Sequence, residues 1–442
     1  MNCKSSEDVL RQVKDLSVGF IQFWFTDVLG VLKSFSITPS ELEEGLFEGM
    51  GFDGSSIEGF ARIEESDLVA KPDPCTFQVL PWQDAGVPVA RMFCDILFPD
   101  GQPYPGDSRF ALKNVLQKAK DLGFEWYAGP ELEFFYFKEK GSLETLDDGG
   151  YFDGLPVDLG DPLRRKTVMA LQQMGIRVEY DHHEVAPSQH EIDLRYQEGL
   201  LMADTVMTYR MLVKEVARRN GVYATFMPKP IFGVNGSGMH THQSLFKGDS
   251  NAFWDTGDQY HLSDVAKHYT AGLLRHAKEI TLVANQWVNS YKRLVPGYEA
   301  PVYISWARRN RSAMIRVPMY KPSKEKATRI EFRSPDPACN PYLTFAVQLE
   351  AGLEGMAKKY DLPDPIEEDI FEMTPEERKR KGIFELPGSL YAAILETEKS
   401  EVVRRALGDH IFNKFLDNKK IEWDKYRTHV SRYEVEHYLQ WL

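Results

Sequence analysis

The sequence predicts an α+β protein, and three observations predict it. The first hundred residues alternate short apolar runs with glycine-rich turns, the signature of a small, mostly β unit. Four later segments place ionisable side chains at alternate positions with apolar residues between them. That is the pattern of an antiparallel sheet with one apolar and one charged face. After Pro341 the chain keeps a mostly helical pattern to its end.

Taken in order, Ser5 or Ser6 caps a short helix running to about Val13. Residues 18–27 (VGFIQFWFTD) read as an aromatic strand, and 31–37 (VLKSFSI) as its hairpin partner across DVLG. Pro39 and Ser40 open a helix, and 51–60 (GFDGSSIEGF) is too glycine-rich to be anything but a loop. Strands follow at 76–80 and 87–98, then a Pro/Gly linker at 99–109. Asp107 or Ser108 caps a helix that stops at Gly123. The strand PELEFFYF (130–137) is followed by a Gly/Asp-rich stretch, 141–160, expected to be mobile. Asp161-Pro162 starts a helix to about Met174, and a long amphipathic helix spans 197–219. Short strands and loops fill 222–334, with helices near 263–285.

The chain has 442 residues, enough for two or three domains and a substantial core. A net charge of −13 argues against non-specific binding to nucleic acid or an anionic membrane. No run of 18 apolar residues marks a transmembrane helix, and the N-terminus has no signal-peptide core. Cys3, Cys75, Cys94 and Cys339 fit no zinc spacing, and so few cysteines suit a reducing compartment. A cytoplasmic protein is expected.

The chemistry lies in the alternating segments. Glu131 and Glu133 are i and i+2 in PELEFFYF, so they share a strand face. His240 and His242 repeat the spacing in NGSGMHTHQSLF (235–246). Arg329, Glu331 and Arg333 do so in TRIEFRS, with Ile330 and Phe332 on the reverse face. Glu184 and Glu191 flank a turn in HHEVAPSQHEIDL (182–194). One such pair alone is an ordinary solvated strand face. Four together make a concave acidic surface, stable only with cations in it.

The candidate ligands are Glu131, Glu133, Glu184, Glu191, Glu331 and His240. Hard oxygen donors without thiolate favour Mg²⁺ or Mn²⁺. Five glutamates exceed the needs of one ion, so two or more are expected. Arg293, Arg308, Arg309, Arg311, Arg316, Arg329 and Arg333 supply guanidinium groups. Metal and guanidinium together point to phosphoryl transfer. Arg308 and Arg309 read equally well as surface charge. Pro296-Gly297 before Glu299 predicts a constrained flap that delivers one carboxylate.

Together the stretches FDGSS (52–56), GPELEFF (129–135), HHEVAPSQHE (182–191), NGSGMHTHQS (235–244), KRLVPGYEAP (292–301), ARRNRSAMIR (307–316) and RIEFRSPDPACNPY (329–342) resemble type I glutamine synthetases, the shorter alpha subtype in particular. The resemblance implies a β-grasp domain at 14–99 and, at 106–442, a catalytic domain built on a curved antiparallel half-barrel backed by helices. It implies joining ammonia to the side-chain carboxylate of L-glutamate at the expense of ATP, through γ-glutamyl phosphate. One metal would sit on Glu133, Glu184 and Glu191, and a second on Glu131, His240 and Glu331. Asn235, Gly236, Arg293, Glu299, Arg311 and Arg333 would bind glutamate. Glu179, His242, Ser244, Arg311, Arg316, Lys326 and Arg329 would contact ATP. Asp53 and Glu299 would bind ammonium and accept its protons, with Arg311 and Arg316 stabilising the phosphoryl group.

In this family the aspartate corresponding to Asp53 serves a neighbouring subunit's site, within a dodecamer of two hexameric rings. The apolar C-terminus VEHYLQWL (435–442) would dock between rings. Arg62 resembles a residue linked to feedback inhibition by glutamine, and nitrogen-regulatory proteins are implied partners. Phe371 in DIFEMTPEE stands where adenylylated relatives carry tyrosine, so that modification is not expected. Arg164 and Arg165 with Arg91 read either as an anionic effector site or as surface charge. A glutamate–organic amine ligase and a non-catalytic structural relative are the competing readings. The intact Asp53 and the complete ligand set weigh against them.

Overall fold

The computed structural model describes residues 5–60, 67–84, 86–298, 300–319 and 324–442. Its strands are β1 (Phe20–Thr26), β2 (Leu32–Ile37), β3 (Met50–Asp53), β4 (Asp67–Pro72), β5 (Gln78–Asp84), β6 (Val87–Leu97), β7 (Glu125–Phe137), β8 (Val178–His183), β9 (Gln189–Leu194), β10 (Gln197–Glu198), β11 (Tyr223–Thr225), β12 (Met239–Lys247), β13 (Ser250–Asn251), β14 (Tyr303–Ala307), β15 (Ala313–Arg316), β16 (Ile330–Phe332) and β17 (Phe384–Glu385). They form two sheets. The first runs β2-β1-β6-β4-β3, with β5 added on β6. The second runs β17-β14-β15-β16-β12-β7-β9-β8, with β10 and β11 on β7 and β13 on β12.

The aromatic hairpin forms as its sequence predicts. Phe23 lies across from Phe35. In its turn the Asp27 carboxylate accepts from the backbone N–H groups of Leu29 (3.0 Å) and Val31 (2.8 Å). Gly30 adopts φ +79°, and a Cβ there would lie 2.8 Å from the Asn340 backbone. This turn therefore touches the start of a helix three hundred residues away. Asn340 caps that helix (Pro341–Lys358) and also donates to the carbonyls of Asp27 and Val28.

The glycine-rich stretch 51–60 is not wholly a loop: its first three residues end β3, which pairs with β4. The Phe52 ring, 4.7 Å from that of Phe25, anchors the strand by aromatic packing. A short 3₁₀ turn, Gly54–Ser56, follows.

The second sheet hangs on β7, whose second half is PELEFFYF. It pairs antiparallel with β12 on one side and β9 on the other. The expected antiparallel order holds throughout this sheet except between β14 and β15, which are parallel. Helices Ser108–Asp121, Gly199–Arg219 and Pro341–Lys358 pack behind it. The last is buried on nearly every side, as its mostly apolar sequence demands. It meets helix Asp264–Arg275 at Gly272 and Gly355, where a Cβ on Gly355 would lie 2.2 Å from the His268 carbonyl oxygen.

Charged residues lock the two sheets together. Arg109 is buried and pairs with Asp73 (2.7 Å), Asp95 (2.6 Å) and Asp204 (3.0 Å). Glu58, in the loop after Gly54–Ser56, accepts from His410 (2.9 Å) and Lys414 (2.8 Å) of helix Glu401–Arg427, and from the Tyr104 hydroxyl. The stretch 141–160 is held rather than loose. Asp147 binds His183 Nε2 at 2.9 Å and the Leu159 N–H at 2.9 Å. Asp158 pairs with Arg164 at 2.7 Å.

The three arginines proposed as an effector cluster are not together. Arg164 is buried against Asp158 and Asp181. Arg91 is buried, donates to the Thr76 carbonyl and stacks on Phe93. Arg165 alone is at the surface, beside Asp161.

Two outcomes follow from this packing. Gly355→Ala forces apart two helices in contact, at a cost of about 1–3 kcal/mol. Its thermal unfolding midpoint should fall; an unchanged midpoint contradicts the contact. Burial alone would raise the Glu58 carboxyl, but hydrogen bonds from His410, Lys414 and Tyr104 outweigh it and hold the group at about 2. An acid depressed in the folded state stabilises above its unfolded value, about 4.3. That contribution is lost as pH falls toward 2. Glu58→Gln should therefore lose less stability than the parent between about pH 4.5 and 2. Parallel pH–stability curves for the two proteins would contradict the latch.

Candidate active site

The alternating segments converge. Strands β7, β9, β12 and β16 are neighbours, so side chains at i and i+2 on each face one side of a single sheet. There they line a cavity of about 150 Å³. Glu131, Glu133, Glu184, Glu191, His240 and Glu331 all reach it, and so do Asn235, Gly236, Arg293, Arg311, Arg316 and Arg333. Leu132 and Phe134, between and beyond the two β7 glutamates, point into the core.

The acids are arranged in close groups. His240 Nδ1 lies 3.5 Å from Glu131 and 3.7 Å from Glu331, and its Nε2 lies 3.9 Å from Glu133. His242 Nε2 is 2.6 Å from Glu131. Glu133 accepts from the Gly238 N–H (3.0 Å) and Gln189 Nε2 (2.9 Å). Oxygens and nitrogens of Glu131, His242 and Glu331 lie within 4.8 Å of one another, and so do those of His182, Glu184 and Glu191.

Burial pushes the Glu191 carboxyl well above its ordinary range, and Asp193 and Glu131 add like charge. Burial also raises Glu133, against the opposing pull of His240 and Arg293. Glu131 is half-buried, which would raise it, yet the imidazoles of His242 and His240 hold it well below the usual range. Such a set of hard donors, massed where they disfavour one another's ionisation, fits divalent cations.

Arginines flank the acids. Arg316 and Arg333 both pair with Glu331, the latter at 3.2 Å. Arg293 is fully enclosed and donates to the carbonyls of Ser334 (2.7 Å) and Arg333 (3.2 Å). Burial lowers its pKa, with Glu133 opposing. Arg311 lies over the Tyr151 ring at 5.9 Å. Arg308 and Arg309 lie away from the cavity; their backbone N–H groups bind Glu367.

His242 and Ser244 continue the His240 face along β12, leading out of the acid cluster. Arg329 donates to His242 Nδ1 at 3.0 Å. Lys326 is exposed on the turn Glu325–Ala327. Glu179 stands apart, half exposed and paired with Arg195 at 3.2 Å. Asp53 lies on the first sheet, bonded to Ser55 at 2.9 Å, and does not line the cavity of its own chain. Glu299 and Arg62 lie outside the described residues, although Tyr298 and Ala300 line the cavity.

Sequence reasoning missed Tyr151, His182, Gln189 and Asp193. His182 sits between the rings of Phe152 (4.4 Å) and Tyr180 (5.7 Å). Tyr151 belongs to the stretch read as mobile. Gln189 and Asp193 obeyed the i, i+2 rule about Glu191 and were legible.

A model of the glutamine synthetase catalytic domain matches residues 105–438, and one of the glutamine synthetase beta-Grasp domain matches residues 17–99. The chain belongs to the glutamine synthetase family. It is 56% identical to the glutamine synthetase of Mycolicibacterium smegmatis over 99% of both chains. It is 50% identical to that of Methanosarcina mazei over 100% of this chain and 99% of the other. It also resembles the solved structures of GmaS. The apo form without ligand is 31% identical with a TM-score of 0.88, covering 98% of this chain and 99% of the other. A GmaS/ADP complex has the same identity and coverage and a TM-score of 0.89. The curved sheet carrying the acids is thus the half-barrel of a glutamine synthetase catalytic domain, and the first sheet is its β-grasp domain.

Proposed function

We propose that this chain joins ammonia to the side-chain carboxylate of L-glutamate, consuming ATP and releasing ADP and phosphate. One observation carries the reading: six hard ligands and four arginines converge on a single cavity. Carboxylate and phosphate are both anions, and only such a mixture of cation sites and guanidinium groups brings them together.

Glu133, Glu184 and Glu191 would hold one divalent cation, Mg²⁺ or Mn²⁺. Glu131, His240 and Glu331 would hold a second, with His242 against Glu131 orienting it. When bound, these cations neutralise phosphate and carboxylate oxygens. Arg293, anchored on the Ser334 carbonyl, presents its guanidinium beside Asn235 and Gly236 for the glutamate carboxylates. Arg311 and Arg316 would stabilise the transferring phosphoryl group, and Arg333 would join Arg293 at the glutamate carboxylates. Glu331 holds Arg316 and Arg333 in place, so no reorganisation is needed as charge develops. His242, Ser244 and Arg329 line the way to the nucleotide, with exposed Lys326 at its outer end. Glu179, engaged with Arg195, would have to turn inward to join them.

Ammonium needs negative charge to bind and must lose a proton to attack γ-glutamyl phosphate. Asp53 from a neighbouring copy, with Glu299, would serve both needs. Asp53 is exposed and does not line its own chain's cavity, which supports a shared site in a ring assembly of dodecameric type. The assembly exposes its reaction to a soluble pool of ammonium, glutamate and ATP in the cytoplasm. Arg62 is the proposed point of feedback by glutamine, and nitrogen-regulatory proteins are proposed partners. Among the described residues no helix is long and apolar enough to cross a membrane.

Glu331→Ala should abolish glutamine formation while particle size in solution stays that of the parent; full activity would contradict the assignment. Phosphate release with ATP and glutamate should be strong with ammonium and weak with methylamine or polyamines. A preference for the organic amine would favour the amine-ligase reading instead.

A further inference from the structure

Gln189 lines the cavity and is only 1% exposed, yet no step above uses it. It opens β9 and shares a strand face with Glu191. Both ends of its amide are engaged. Oε1 accepts the backbone N–H of Ala186 at 3.1 Å. Nε2 donates to Glu133 Oε2 (2.9 Å), the Gly236 carbonyl (3.1 Å) and the Ser237 hydroxyl (3.3 Å). A carboxylate and a carbonyl accept only, so the NH₂ end must face them. The Gln189 backbone also closes the turn after Glu184: its carbonyl accepts the Glu184 N–H at 2.7 Å.

One residue therefore touches two of the proposed cation ligands and the glutamate seat. Its effect on Glu133 is specific. Gln189 Nε2 and the Gly238 N–H (3.0 Å) both donate to the same oxygen, Oε2. Oε1 is left on the side of His240, whose Nε2 lies 3.9 Å from it. A carboxylate held in this way offers a cation one oxygen in a fixed direction. The donor is also neutral. Glu331 is held by two guanidinium groups, whose charge opposes a cation, whereas an amide orients Glu133 without that opposition.

Building on the function proposed above, we propose that Gln189 is a positioning residue: its amide fixes Glu133 to meet a cation through Oε1 alone and ties that carboxylate to the backbone of the glutamate seat at Gly236. It acts through these neighbours rather than on the reacting atoms. Because one side chain links the two, disturbing it weakens both the cation held by Glu133, Glu184 and Glu191 and the binding of glutamate. The nucleotide half, built on Glu131, His240 and Glu331, is spared.

The test uses Gln189→Met, which keeps the length of the side chain but has no amide and no charge. The full-length protein, freed of metal, is titrated with Mn²⁺ alone while the free-ion resonance signal is followed. Glu133→Gln marks which class of bound Mn²⁺ belongs to Glu133. Gln189→Met should weaken that class about tenfold and leave the other. At saturating Mn²⁺ it should raise KM for glutamate and leave KM for ATP at the parent's value. Unchanged Mn²⁺ affinities or an unchanged KM for glutamate overturn the proposal. So does equal weakening of both Mn²⁺ classes with a rise in both KM values, which is what general loosening of the fold would give. Should Gln189→Met fold poorly, Gln189→Asn, whose amide ends one carbon short of Glu133, is read by the same outcomes. A parent that forms glutamine beside a variant equal to it sinks this inference and spares the function. A parent that forms none, while the Mn²⁺ classes separate as expected, sinks the function and leaves the orientation of Glu133 by Gln189 standing.

Discussion

Like charges crowded in a small space govern this structure. Five glutamates share a cavity of about 150 Å³, where burial leaves their repulsion less screened than in bulk water. Such a surface survives only when positive charge is built around it. The chain supplies that charge from separate elements. Arg316 comes from β15, Arg333 from just after β16, and Arg293 from the short helix Ser290–Arg293. The arginines also make the cavity attractive to a substrate that is itself an anion.

Holding these groups in register takes more than the sheet that bears them. The catalytic strands are backed by a helix, Pro341–Lys358, that is apolar around most of its circumference. Its N-terminus is fixed by Asn340, which also grips the first hairpin. Arg109 ties aspartates of the first sheet to Asp204 behind the second. The β-grasp unit is therefore clamped to the catalytic unit, and Asp53 lies exposed at its surface. A rigid joint of this kind suits the role proposed for Asp53 at a neighbouring copy's site.

The likeness to glutamine synthetases runs from end to end of the chain, and the individual side chains give it physical content. The i, i+2 spacing of PELEFFYF becomes two carboxylates on one wall, with Leu132 and Phe134 in the core behind them. The stretch 141–160 shows the limit of composition as a guide. Its glycines and aspartates suggested motion, but those aspartates are anchors: Asp147 holds His183 beside Glu184, and Asp158 holds Arg164. Short-range sequence rules do not show such partners: His183 lies 36 residues from Asp147, and Arg164, though only 6 from Asp158, belongs to the next helix.

The sequence by itself determined the acidic and apolar alternation, the inventory of hard ligands and arginines, helix starts to within one residue at Ser5 or Ser6 and Asp107 or Ser108, and the family. These depend on local geometry: a strand repeats every two residues, and a cap acts within one turn. Only the tertiary structure decided which acids are neighbours. It placed His242 against Glu131, Tyr151 and His182 at the cavity, and Asp193 beside Glu191. It also turned Arg91 and Arg164 from candidate effector ligands into buried struts. Those outcomes depend on strand order and register, which are set by long-range packing of one face against helices distant in sequence.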